Sequence, residues 1–139
     1  MTLNVSDPDS STFVPSNPAI GGRFAVQFVL NSQGDGTLIF AKHLGQPDQL
    51  LTRLTLGTQI NDVAWATAAR GTLYVTDSAG NAVQAITGAF TRGDLFVACP
   101  ADSGVGGFVG VLNTTTGTIT PMAINLQSPA GLLFVPATR

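Results

Sequence analysis

His43 is the one imidazole in a chain of 139 residues, so any histidine-based proton transfer must pass through it. A serine hydrolase would need it beside Ser78 or Ser103 and an aspartate. No Gly-x-Ser-x-Gly elbow is present, since Asp102-Ser103-Gly104 lacks the first glycine. His43 stands just before Gly45 and Pro47, which predicts a surface turn. Cys99 is the single thiol, so no internal disulfide can form. It precedes Pro100 with no basic neighbour, the setting of an inert buried thiol. One His and one Cys cannot supply the about four ligands of a structural zinc site. Glu is absent, which removes the HExxH helix. The run Gly104-Val-Gly-Gly-Phe-Val-Gly110 has no Lys and no following helix, so it reads as a hairpin or close packing rather than a phosphate loop.

The charges are as sparse as the catalytic side chains. Six basic residues against eight acidic ones give a net charge of −2, too few to track a phosphate backbone. That composition argues against nucleic acid as a partner. Mean hydropathy is positive at +0.30, yet no apolar run approaches the roughly 20 residues of a membrane helix. The start of the chain has no basic residues and no apolar stretch, so it is not a signal peptide. Asn4-Val-Ser6 and Asn113-Thr-Thr115 match the glycosylation sequon, a pattern common by chance.

Short strands must carry whatever chemistry exists. Residues 1–22, rich in Ser, Asp, Pro, Asn and Gly, read as an extended N-terminal arm with an edge strand around Thr12–Val14. Residues 23–139 read as one all-β domain. Strands are expected at Phe24–Leu30, Thr37–His43, Leu50–Leu56, Ile60–Thr67, Thr72–Asp77, Ala82–Thr87, Asp94–Cys99, Phe108–Leu112, Thr118–Ile124 and Gly131–Val135. The intervening Asn31–Gly36, Ala69–Gly71, Ser78–Asn81 and Asn113–Gly117 supply turn chemistry. Strands at this spacing suggest a sandwich, a barrel or a propeller.

A weak repeat favours the propeller. Gly36-Thr-Leu-Ile-Phe40 recurs as Gly71-Thr-Leu-Tyr-Val75, and Gly93-Asp-Leu-Phe-Val97 as Gly131-Leu-Leu-Phe-Val135. Repeats of about 35–50 residues holding several strands each are the signature of propeller blades. Ile60-Asn-Asp-Val-Ala-Trp65, followed by Gly71-Thr-Leu-Tyr-Val-Thr-Asp-Ser-Ala-Gly-Asn-Ala-Val-Gln-Ala-Ile86, resembles a blade of the NHL-repeat and senescence-marker/gluconolactonase-like six-bladed propellers. The stretch Leu73–Val83 is the specific part. Asp62 departs from the Gly usual in that blade.

The resemblance implies about three antiparallel blades, a partial or half propeller matching the C-terminal part of the family. A β-sandwich is the alternative fold. Propellers close with about four to eight blades, so the resemblance also implies either self-association or the missing part of a longer chain. It permits an extracellular location. In the lactonase-type members an Asn-Asp pair at the entrance of an inner strand helps to hold a divalent metal, usually calcium. Asn61 and Asp62 stand at that position, and their oxygens suit a hard cation. Those sites also use a Glu, which this chain lacks. Asp77 and Asn81 are expected to build the strand-end turn, with Asp77 accepting the amides of Ala79 and Gly80. Trp65 is expected in the core, with ligand stacking as the other role.

Two functions follow as expectations. One is a binding or scaffold module that assembles through its blade edges. The other is a metal-dependent lactonase or esterase, against which the single His and absent Glu both count. A structural β-sandwich protein is the third reading.

Overall fold

A computed structural model describes residues 3–102 and 105–138. Ser103, a candidate partner for His43, and Gly104, the first residue of the glycine-rich run, lie outside the described residues. The fold is all-β. Its strands are β1 (Pro8–Phe13), β2 (Phe28–Ser32), β3 (Thr37–Lys42), β4 (Leu50–Thr55), β5 (Asp62–Trp65), β6 (Arg70–Asp77), β7 (Ala82–Ala89), β8 (Leu95–Cys99), β9 (Gly107–Leu112), β10 (Ile119–Leu126) and β11 (Pro129–Pro136). One helical turn, Pro18–Gly21, is capped by the Asn17 side chain.

The strands form three antiparallel sheets. The first has the order β1-β2-β3-β4, the second β10-β9-β8-β5, and the third β11-β6-β7. Two cores separate them. Leu38, Phe40 and Leu54 of the first sheet pack with Val63, Trp65, Leu95, Val97 and Cys99 of the second. Ala64, Phe96 and Val109 of the second sheet pack with Leu73, Val75 and Phe134 of the third. Alternate residues of β5 and β8 thus serve opposite cores, and the second sheet is covered on both faces. Its central strand shows this in its composition, since all five residues of β8 are apolar and buried. β6 instead alternates, with Leu73 and Val75 inward and Thr72, Tyr74 and Thr76 outward, the pattern of a sheet with one open face.

That difference decides how the expected blade is built. Ile60–Trp65 and Gly71–Ile86 do not share a sheet. β5 pairs with β8 in the second sheet, while β6 and β7 pair with each other in the third. The apolar run of β8 needs cover on both faces and takes the place beside β5. Three sheets stack, where a sandwich would have two, and the described strands do not close a ring.

The N-terminal arm is part of this architecture. β1 pairs with β2 as an edge of the first sheet, with an irregular register between Pro8 and Ser11. The strand expected from Phe24 begins at Phe28, after a turn through Gly22–Phe24 and a left-handed Val26. Phe24 itself stacks on Phe40, with ring centroids 3.8 Å apart.

Candidate functional site

One strand from each sheet borders a common groove of about 350 Å³. Asp9 and Ser10 come from β1, Asn61 and Asp62 from the start of β5, and Ala130 and Gly131 from β11. Asn61 is tied on both sides of its amide. Its Oδ1 accepts from Gln33 Nε2, and its Nδ2 donates to the Pro129 carbonyl at 2.8 Å. Asp62 Oδ2 accepts from the Leu132 amide at 2.8 Å. Asn31, buried, donates through Nδ2 to the Ile60 carbonyl. These bonds stitch the first sheet to the second and the second to the third.

This wiring does not fit a calcium ion. Calcium wants six to eight oxygen ligands, and the Asn61 oxygen already takes a hydrogen bond from Gln33. Among the described residues, no three His, Cys, Asp or Glu side chains come together in a metal-holding group. Asn61 and Asp62 join strands in this structure.

Two carboxylates, Asp9 and Asp62, line the groove. Asp9 has its pKa raised above the ordinary aspartate value, first by desolvation and then by the charges of Asp62 and Asp7. A raised folded-state pKa adds stability below the unfolded value, near 3.9, and that contribution is lost as pH rises through the folded value. At neutral pH the ionised Asp9 therefore opposes folding. Asp9→Asn should raise the melting temperature at pH 7, by less than about 1 kcal/mol in stability because the side chain is exposed and screened. The gap between variant and parent should close below about pH 4 and shrink in high salt, as melts across pH and salt would show.

The other singled-out residues are placed apart from the groove. Trp65 is buried in the core between the first and second sheets. Asp77 is buried at the end of β6. Its carboxylate accepts from Gly80 N at 3.3 Å, one of the two turn amides expected, but its shorter bonds are to Gln127 N at 2.9 Å and Ser128 N at 2.7 Å. Asn81 is exposed and takes a left-handed φ of 47° in the β6–β7 turn. His43 sits in an exposed turn and pairs with Asp48 at 2.6 Å. The Ser78 hydroxyl donates to the Ser128 carbonyl. Burial pushes the Cys99 thiol up to about 12, which keeps it protonated and unreactive.

Asp9, Ser10, Asn31 and Gln33 escaped the sequence reading as members of one group. They come from the arm and from the end of one hairpin, and no spacing pattern links them to residues 61–62.

A second groove, of about 520 Å³, lies on the open face of the third sheet. Tyr74, Val83, Leu132 and Leu133 line it, with Thr76, Gly131 and Asp62. Among the described residues, no helix is long and apolar enough to cross a membrane. No family model, curated protein or solved structure matches the chain.

Proposed function

We propose that the protein is a binding or scaffold module built from propeller-like blades, which self-associates through its open sheet edges. The observation that supports this most is the unequal covering of the three sheets. The second is closed on both faces, whereas the third presents Val83 at 64% exposure, Leu133 at 60% and Tyr74 at 39% on its open side. A contiguous apolar surface of this kind marks an interaction site more often than a free surface. Asn61 and Asp62 of the groove between the sheets are spent on joining strands, which favours a scaffold over a catalyst. Each sheet acts as a blade in this reading, and a second copy adds more.

Light scattering on the intact chain at micromolar concentration tests the proposal. The expected mass is twice the 14.3 kDa of one chain. A monomer throughout the concentration range overturns it.

A further inference from the structure

The six sheet edges are not equally open. β1, β5 and β11 are edges that meet at the groove holding Asp9 and Asp62. The other three edges are β4, β10 and β7. β10 contains Pro121, two breaks in its register with β9 and a left-handed Asn125. β4 carries Arg53, whose guanidinium reaches the Asn4 carbonyl at 2.9 Å. Prolines, charges and bulges are the devices that keep an edge strand from pairing with another chain.

β7 has none of them. Its eight residues, Ala-Val-Gln-Ala-Ile-Thr-Gly-Ala, include no charge and no proline. They pair with β6 continuously from Ala82 to Ala89, without a break in register. All but Ile86 and Gly88 are exposed. One side of the strand is thus held straight by a regular ladder, and the other offers unpaired amides and carbonyls.

We propose that β7 pairs antiparallel with β7 of a second copy, joining two three-stranded sheets into one of six strands. This rests on the self-association proposed above and gives it a location. The strand complements itself. A two-fold axis through Ala85 opposes Val83 to Thr87 and Gln84 to Ile86. Paired residues then share a face, as an antiparallel register requires. No like charges meet, and the apolar surface of Tyr74, Val83 and Leu133 continues across the axis. Such a contact uses the same patch on both copies and closes at two.

The test joins a cross-link to a mass. Ala85→Cys puts two thiols opposite each other, at a Cα separation of about 4.5–5.5 Å for facing antiparallel residues, within disulfide range. Mild oxidation should convert most of the chain to a covalent dimer, since buried Cys99 takes no part. Thr52→Cys on β4 should not cross-link. Val83→Lys should weaken the dimer at least tenfold while circular dichroism stays that of the parent.

The failures are distinguishable. A parent chain that is monomeric overturns both the self-association and the β7 assignment. A dimeric parent overturns the β7 assignment alone if Ala85→Cys stays uncross-linked and Val83→Lys stays dimeric. Cross-linking through Thr52→Cys would move the contact to β4.

Discussion

Replacing Phe96 by alanine is expected to destabilise the fold by about 3–5 kcal/mol, the range for emptying a buried aromatic site. Phe96 is fully buried on β8, and its side chain enters the core between the second and third sheets. It meets Phe90 edge-to-face at 5.5 Å and Phe134 at 6.2 Å, while Phe90 meets Phe134 at 5.3 Å. Removing the ring therefore strips a partner from both of the others. The cavity cannot collapse easily, because β8 is hydrogen-bonded to β5 on one side and β9 on the other. Domains of ordinary stability hold about 5–15 kcal/mol in all, so this one change removes a large share. Urea unfolding measures it as a lower midpoint at unchanged slope. A loss below about 1 kcal/mol, the size of an exposed substitution, would mean that Phe96 does not join these two sheets.

Asp77→Ala is the second large effect, and its cause is polar. The carboxylate accepts three backbone amides, one from its own hairpin and two from the β10–β11 connection. Alanine leaves all three partly buried amides without that acceptor. Unmet buried donors cost more than the net worth of the bonds themselves. The third sheet should suffer first, since these bonds fix where β11 begins. The bonds from Gln127 and Ser128, in that order, lower the Asp77 pKa below its ordinary value. A lowered folded-state pKa contributes stability that is present above the unfolded value and lost as pH falls through the folded one. The parent should therefore lose stability in acid, below about pH 4, by a component that Asp77→Asn lacks. Thermal melts of the two proteins between neutral pH and strong acid would show the curves approaching each other.

Asp77 also marks the limit of what local sequence can reveal. Its turn with Gly80 follows from Asp-Ser-Ala-Gly-Asn, because an aspartate at a strand end accepts nearby amides. Its bonds to Gln127 and Ser128 span some 50 residues, and nothing near Asp77 announces them. The strands divide in the same way. β3, β4, β6 and β7 sit where strand-favouring composition and turn residues place them, and each lies in a hairpin with its sequence neighbour. β5 pairs across the inserted β6–β7 hairpin with β8. Periodicity reports how exposed a strand is and leaves its partner open. The five-residue apolar run of β8 was a local clue, as such a strand needs cover on two faces. The candidate site was legible in part. Asn61 and Asp62 stood out through the resemblance to lactonase-type propellers, but the amides and carbonyls that engage them come from Gln33, Pro129 and Leu132.

Residue-resolved hydrogen exchange on the unmodified chain, recorded over a range of concentrations, tests most directly the account of a closed middle sheet and an open, self-pairing edge. Amides of Leu95–Cys99 should exchange slowest at every concentration, through global unfolding alone. The amides of Ala82–Ala89 that face away from β6 should exchange fast when dilute and gain protection as concentration rises. Fast exchange in β8, or β7 amides indifferent to concentration, would contradict it.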